Sequence, residues 1–165
     1  MNPTTAPQIA QAIRSSPRAL ANRFEMFYVY NPAAPPVIAQ GATTTFTLTT
    51  QAEYDFAVYA LAVSITDFTA GTVILPANST ALIQIQDTGA GANWFSNPVG
   101  LSTLFGSAQL PFNLPVIRIV AQTATLSFTI TNGKDGTAAA GVTYFLSLIG
   151  SKLQTVGQGA QGLIG

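Results

Sequence analysis

The stretch ATLSFTIT, residues 124–131, alternates apolar and small polar side chains almost without a break. Leu126, Phe128 and Ile130 fall on one side of an extended chain, and the serine and threonines fall on the other. A period of two residues is typical of a β-strand with one face in a core and the other in solvent. No long stretch after residue 23 keeps a helical period. The segment therefore predicts an all-β domain.

Segments with similar patterns follow one another along the chain, and they are rich in the β-branched and aromatic residues that suit half-buried strands. The predicted strands are FEMFYVY (24–30), TTTFTLTT (43–50), FAVYALAVSIT (56–66), TAGTVIL (69–75), ALIQIQDT (81–88), VIRIVA (116–121), ATLSFTIT (124–131) and VTYFLSLIG (142–150). Within the third, the pattern predicts that Tyr59, Leu61, Val63 and Ile65 share one face.

Eight or nine strands of normal length predict a two-sheet antiparallel β-sandwich, with a jelly roll as the leading topology. An immunoglobulin-like or barrel arrangement stays open, because one sequence does not reveal which strands pair. The chain divides into three predicted segments: an N-terminal arm (1–23), a β-sandwich domain (24–153) and a flexible glycine-rich tail (154–165).

The N-terminal arm differs from the rest in its charge. It holds Arg14, Arg18 and Arg23, which are half of the six positive side chains, and it holds no acid. The segment QIAQAIRS places Ile9 and Ile13 on one face of a short helix. The terminus is either loosely docked or disordered, or an arm whose isoleucines and arginines bind a neighbouring subunit or an anionic surface.

Charge is scarce in this chain of 165 residues. Charged side chains make up 7%, where about 25% is typical, and six basic and six acidic groups cancel. The polar surface must therefore come from Thr, Ser, Gln and Asn, which lose little hydration when a partner covers them. This composition favours equally a protein with extensive protein contacts and an extracellular β-domain with a neutral surface.

The chain lacks the residue types on which several classes of protein function usually depend. The chain has no Cys and no His, so it lacks disulfides, thiolates and the commonest general base and metal ligand. It has no apolar run near the roughly 18 residues of a membrane span and no apolar leader. We expect no membrane partner and synthesis without secretion.

The stretch IQIQDTGAGANWFSNPV (83–99) places Gly89 and Gly91 after a strand, as a nucleotide site would. A dinucleotide site needs a third glycine, a helix and a later acid, but Trp94 occupies the third position and Pro98 follows. We therefore predict a turn in which the two glycines adopt positive φ, and no cofactor.

No set of residues predicts catalysis or metal binding. Glu53 and Asp55 are the only acids close together, and a carboxylate pair of a hydrolase is the one enzymatic alternative they offer. They lie at a strand boundary, where a solvated edge or turn is the better interpretation. We predict that the protein is not an enzyme.

The segment WFSNPVGLSTLFGSAQLPFNLPV (94–116) is long, apolar and uncharged. It either covers the core of its own domain or meets another subunit, and a carbohydrate platform on Trp94 is a third possibility. The candidate subunit-interface residues are Trp94, Phe95, Leu104, Phe105 and Phe112.

Four segments together resemble small virion structural proteins of tailed bacteriophages. They are FEMFYVYNP (24–32), TTTFTLTTQAEYDF (43–56), IQIQDTGAGANWFSNPV (83–99) and LPFNLP (110–115), and the resemblance covers roughly residues 24–153. It implies a jelly-roll domain in the phage head, as a decoration (cement) protein, a minor capsid protein or a vertex component. It brings no catalytic residue to carry over.

The resemblance also implies partners and a location. The partners would be the major capsid protein and further copies of this chain, with a trimer at a local three-fold position. The protein would be made in the host cytoplasm and end in the virion. The alternative is a receptor- or glycan-binding module of a phage spike or fibre, with Trp94 exposed in a shallow groove. Three arginines are too few to predict specific nucleic acid binding.

Overall fold

The computed structural model of the chain describes residues 23–30, 37–52, 54–67, 69–137 and 141–155, with side chains described from residue 37 to residue 153. The predicted arm residues Ile9, Ile13, Arg14 and Arg18 lie outside the described residues, as do residues 156–165 of the predicted tail. The strands are β1 Arg23–Tyr30, β2 Val37–Ile38, β3 Thr43–Thr49, β4 Asp55–Asp67, β5 Thr72–Ile74, β6 Leu82–Asp87, β7 Ala92–Asn93, β8 Val99–Gly100, β9 Phe112–Val120, β10 Thr125–Thr131 and β11 Val142–Thr155. A 3-10 helix spans Pro76–Asn78, and a single α-helical turn, α1, spans Leu101–Leu104.

These strands form two antiparallel sheets that pack face to face. In sheet A, β11 lies between β1 and β4, β2 also pairs with β11, and β5 and β9 pair with β4. In sheet B, β10 lies between β3 and β6, and β7 and β8 pair with β6. The predicted all-β, two-sheet antiparallel sandwich is confirmed.

The strand order is that of a jelly roll. β1 and β2 pair with β11, β3 pairs with β10, β4 pairs with β9, and β6 pairs with β7 and β8. The first and last strands in the sequence thus pair with each other, and the same nested pairing continues toward the middle of the sequence. The chain forms one long hairpin that folds over into two sheets. The short strands β2, β5, β7 and β8 share edge positions. β5 lies within the predicted strand 69–75, whereas β2, β7 and β8 were not predicted.

The core lies between the sheets, where the sequence alternation places it. Leu126, Phe128 and Ile130 are fully buried, as predicted. The Phe128 ring stacks on Phe46, with the ring centroids 5.6 Å apart and the planes 14° apart. Sheet A supplies the facing side chains, which are Phe56, Val58, Leu61, Val63, Ile65, Tyr144, Leu146 and Leu148.

Tyr59 lies outside the core cluster, so the prediction that it shares a face with the next three inward residues is wrong. The register of β4 on β11 shifts at Tyr59, so that Val58 and Ala60 pair with consecutive residues of β11. An extra residue in one strand is a β-bulge, and it changes the alternation. Beyond the bulge the pattern holds, and the predicted residues in the core cluster are Leu61, Val63 and Ile65.

The predicted start of β9 after Pro115 is wrong, because the strand begins before this proline, at Phe112. Asn113 pairs with Ala60 and Arg118 pairs with Val58, so the chain between Asn113 and Arg118 bulges away from β4. Proline has no N–H to donate to a ladder, and it is tolerated in strands at edges and bulges. Pro115 therefore interrupts the pairing of β9 without ending the strand.

We expect Phe128→Ala to lower the free energy of unfolding by about 3–5 kcal/mol, because it removes a fully buried ring. Denaturant unfolding followed by circular dichroism measures this change. The control Ser127→Ala alters the opposite face of the same strand and should change the value by less than about 0.5 kcal/mol. A loss below about 1 kcal/mol in Phe128→Ala would contradict the central place of this ring in the core.

Candidate functional site

The glycine-rich stretch between β6 and β7 is a hairpin loop. Asp87 pairs with Ala92 across it, and Gly91 has a φ of 62°, whereas Gly89 is not among the residues with positive φ, contrary to the prediction. The Asp87 Oδ1 accepts hydrogen bonds from the backbone N–H groups of Gly89 and Ala90, at 3.0 and 3.1 Å. A phosphate loop offers such N–H groups to its ligand. Here the loop's own carboxylate occupies them.

The loop between β4 and β5 repeats this arrangement. Asp67 pairs with Thr72 across the hairpin. Its Oδ1 accepts hydrogen bonds from the N–H groups of Thr69 and Ala70, at 2.9 and 3.0 Å. Gly71 has a φ of 64°, a value that favours glycine. Both loops share the pattern Asp-x-x-Ala-Gly, so the pattern that suggested a nucleotide site is turn chemistry that the chain uses twice.

Asp67 makes one further contact, which ties its hairpin to the loop after β10. Its Oδ2 accepts a hydrogen bond from the N–H of Thr137 at 2.8 Å. The pKa of Asp67 is lowered from an ordinary value of 3.8, most strongly by the hydrogen bond from Ala70. Burial opposes this effect, and the N–H groups of Thr137 and Thr69 add to it. The folded protein therefore favours the charged carboxylate.

The five candidate interface residues pack against their own domain. Trp94 and Phe105 belong to the core, with 8% and 3% of their surfaces exposed. Phe95, Leu104 and Phe112 are half-buried and pack against the core. The described contacts thus show that this segment covers the core. A contact with another subunit stays a prediction, which would have to use the remaining exposed surface of the three half-buried side chains.

The glycan-binding alternative requires an exposed Trp94, and this expectation is wrong because Trp94 is buried. The backbone N–H of Trp94 donates to the Ile85 carbonyl at 2.8 Å, and the Trp94 carbonyl accepts a hydrogen bond from Arg118 Nη2 at 3.2 Å. These bonds hold the residue against β6, with its indole in the core cluster. The large apolar area of an indole is stabilised by burial in the core. A buried ring leaves little surface on which a sugar could stack.

Of the two acids that are close together in sequence, Glu53 and Asp55, the structure describes only the second. Glu53 lies outside the described residues. Asp55 is buried at the start of β4, and its Oδ1 accepts a hydrogen bond from the Gln122 N–H at 3.0 Å. This bond ties the start of β4 to the loop between β9 and β10. Asp55 therefore has a structural partner, and the paired-carboxylate hydrolase stays a hypothesis.

A buried polar cluster around Asp135 was not predicted. The Asp135 Oδ2 accepts hydrogen bonds from Ser79 Oγ at 2.5 Å and from Tyr144 Oη at 3.0 Å. Its Oδ1 accepts two from Thr80, from the N–H at 2.7 Å and from Oγ1 at 2.8 Å. Burial raises the pKa of Tyr144, and the Asp135 carboxylate raises it further. The cluster joins the loop before β6 to β11 and has its acceptors filled by the protein itself.

Asn132 completes this cluster from the end of β10. Its Nδ2 donates to the Ile38 carbonyl at 2.9 Å, and its Oδ1 accepts the N–H of Asp135 at 3.0 Å. The sequence did not reveal these long-range bonds. The scarcity of acids was the available signal, because each buried acid in such a chain needs a specific set of donors.

Four exposed apolar side chains gather on the outer face of sheet A, and we call them the sheet A patch. They are Val37, Val73, Leu75 and Phe145, with 56%, 68%, 61% and 43% of their surfaces exposed. In the register of the strands, Thr143 and Thr66 lie in one row between the two valines, and the phenylalanine pairs with Ser64 in the next row. The residues within the patch are thus apolar or carry hydroxyl groups. Grouped apolar side chains on an exposed face mark a contact surface.

The outer face of sheet B is polar but uncharged along β3 and β10. Three pairs of threonines are joined by Oγ1–Oγ1 hydrogen bonds between these strands: Thr43 with Thr131 at 2.8 Å, Thr45 with Thr129 at 2.9 Å, and Thr49 with Thr125 at 3.1 Å. Gln84 and Gln86 continue the row pattern on β6. The threonine hydroxyls satisfy one another, so this face is ordered and neutral.

No protein-family model matches the chain, and a search of curated proteins found no match. The resemblance to phage virion proteins therefore remains an expectation. Among the helices of the described residues, none has the length and apolar character needed to cross a membrane. Within the same residues, no three His, Cys, Asp or Glu side chains are grouped so that they could hold a metal ion.

We expect Asp67→Asn to weaken the dependence of the protein's stability on pH in the acidic range. The folded pKa lies below the unfolded value, so the carboxylate stabilises the fold above about pH 4, and this contribution is lost as the pH falls through the folded pKa. Thermal unfolding of both proteins between about pH 6 and pH 2 measures the effect. The difference between wild type and variant should shrink toward low pH.

Asp87→Asn is the control, because it removes one negative charge from the other hairpin of the same design. A difference between wild type and Asp67→Asn that stays constant across this pH range would contradict the assigned role of the Asp67 carboxylate.

Proposed function

We propose that this protein is a non-enzymatic structural component of a bacteriophage head, acting as a capsid decoration (cement) protein. The observation that carries the proposal is the sheet A patch. Its four apolar side chains are exposed on one sheet face in a protein that has 7% charged residues. A surface of this kind is stabilised when a partner covers it, because apolar area leaves water and no ion is desolvated.

The proposed mechanism is mechanical. A decoration protein spans a joint between capsid subunits, buries surface on both sides of it and raises the barrier to rupture of the shell. The partners are the major capsid protein and other copies of this chain. The resemblance in sequence supplies both the trimer at a local three-fold position and the location in the phage head.

The rival functions have less support from the described residues. The glycan-binding module relied on an exposed Trp94, which is buried. The hydrolase relied on Glu53 and Asp55, and the second of these bonds to a backbone N–H. The turn that resembled a nucleotide loop is filled by its own aspartate.

We expect Phe145→Asp to weaken binding to the capsid by at least about tenfold, because a contact that covers this residue would bury an unpaired charge. Co-sedimentation with emptied shells of the phage that carries the gene, stripped of this protein, measures the binding. Circular dichroism checks that the variant is folded.

The matched control is Leu110→Asp, which places the same charge on another exposed apolar residue, outside the patch and 79% exposed. It should bind as the wild type does. Equal binding by Phe145→Asp and the wild type would show that the patch is not the capsid contact.

We expect deletion of residues 1–22 to abolish capsid binding and to leave the β-domain folded. The reason is that the arm would supply Ile9, Ile13, Arg14 and Arg18 to the shell, and Arg23 opens β1. Co-sedimentation with the same shells and thermal unfolding measure the two properties. Unchanged binding by the shortened protein would contradict the proposed role of the arm.

A further inference from the structure

The outer edge of β3 is a long row of backbone groups that no described strand covers. The Thr50 N–H donates to the Ala124 carbonyl at 2.9 Å, and the Asn132 N–H donates to the Ala42 carbonyl at 3.0 Å. Opposite residues of an antiparallel ladder alternate between bonded and non-bonded pairs. The even-numbered residues of β3 therefore bond to β10. The residues that direct N–H and C=O groups away from β10 are Thr43, Thr45, Thr47 and Thr49.

β3 also lacks the features that usually prevent an edge strand from pairing with another chain. Proteins protect such edges with charged side chains, prolines, bulges or very short strands. The other described edges have these features: β9 carries Pro115, Arg118 and a bulge, β1 carries Arg23 and Glu25, and the remaining edge strands have two or three residues. β3 has seven residues, TTTFTLT, with no charge and no proline, and its register with β10 is unbroken.

The sequence of β3 is nearly the same in both directions around Phe46, so an antiparallel two-fold contact would match like with like. Its central pair would be Phe46 with its own copy. On the solvent side Thr45 would pair with Thr47 of a second molecule, and Thr43 with Thr49. These are the residues whose N–H and C=O groups point outward, so each pair would exchange two backbone hydrogen bonds. A closed two-fold interface requires such self-complementarity.

The side chains fit this register on both faces of the sheet. Phe46 is half-buried and stacks on Phe128, so a second Phe46 would cover its remaining exposed surface and extend the stack. On the solvent side, threonine would face threonine, as it already does between β3 and β10. No like charges would meet, because β3 has none.

We propose that β3 pairs with β3 of a second copy of this chain, in the register centred on Phe46, and joins the two B sheets into one continuous sheet. This two-fold contact does not rest on the proposed function. It is also distinct from the three-fold contact that the sequence resemblance implies, and both can exist in one assembly.

The test is the native mass of the full-length protein by light scattering over a range of concentrations. The variant is Thr47→Pro, which removes one outward N–H and leaves the bonds to β10 intact. Thr47→Ala is the matched control, because it loses the same hydroxyl and keeps the N–H. No side-chain hydrogen bond of Thr47 is lost in either, since the described bonds join the other three threonines. We expect Thr47→Pro to have half the mass of the wild type and of Thr47→Ala.

A second pair of variants tests the register and does not depend on tolerance of proline. Thr45→Lys with Thr47→Lys places lysine opposite lysine at both occurrences of the Thr45–Thr47 pair in the two-fold contact, and Thr45→Glu with Thr47→Glu does the same with glutamate. Each double variant alone should have half the wild-type mass, and an equal mixture of the two should regain it.

A wild-type mass of 17.2 kDa at every concentration would overturn the β3 contact. A Thr47→Pro mass equal to that of the wild type, with lysine and glutamate variants that also associate alone, would overturn it too. These results are distinguishable from failure of the proposed function. A protein that forms the β3 contact but does not bind shells overturns only the function, and one that binds shells without this contact overturns only the inference.

Discussion

The antiparallel ladder between β4 and β11 is the interaction on which the rest of the structure depends. It joins the two longest strands, from Thr66 with Thr143 at one end to Asp55 with Leu153 at the other. Inward side chains of both strands supply most of the sheet A half of the core, and on the outer face Ala57 and Ala60 are also buried. Because the paired residues are far apart in sequence, the segment between them, which holds four of the five strands of sheet B, must fold back on itself. Contacts of this kind are formed late and slowly.

Polar contacts hold the loops at the end of the sandwich where β10 passes to β11. Asp135 bonds to Thr80 in the segment before β6, Asn132 bonds to Ile38 at the end of β2, and Asp67 bonds to Thr137 of the same connection from the β4 hairpin. These side chains order the loops at this end of the sandwich. The consequence is that the four aspartates serve the fold, while the described parts of both outer sheet faces carry little charge.

The sequence predicted those parts of the fold that local periodicity controls. The alternation in β10 correctly assigned the inward residues Leu126, Phe128 and Ile130. Periodicity failed at Tyr59 and Pro115, because a bulge depends on the partner strand and leaves no mark in the strand's own pattern. The short strands β2, β7 and β8 were not predicted, because two residues are too few to show a period.

The candidate site was less accessible from sequence. The turn at Gly91 was predicted, because it involves neighbours in the chain, whereas Gly89 lacks the predicted positive φ. The placement of Trp94 in the core and the cluster at Asp135 depend on contacts between distant segments. Predicting the sheet A patch would require the strand register, which brings together residues as far apart in sequence as Val37 and Phe145.

The proposed function is that this protein works by being packed against other proteins in a phage head. The most direct test is quantitative mass spectrometry of purified particles of the phage that carries the gene. We expect the chain to be present in many copies per particle, in a constant ratio to the major capsid protein. Its absence from purified particles, with the chain found only in the lysate of infected cells, would overturn the proposed function.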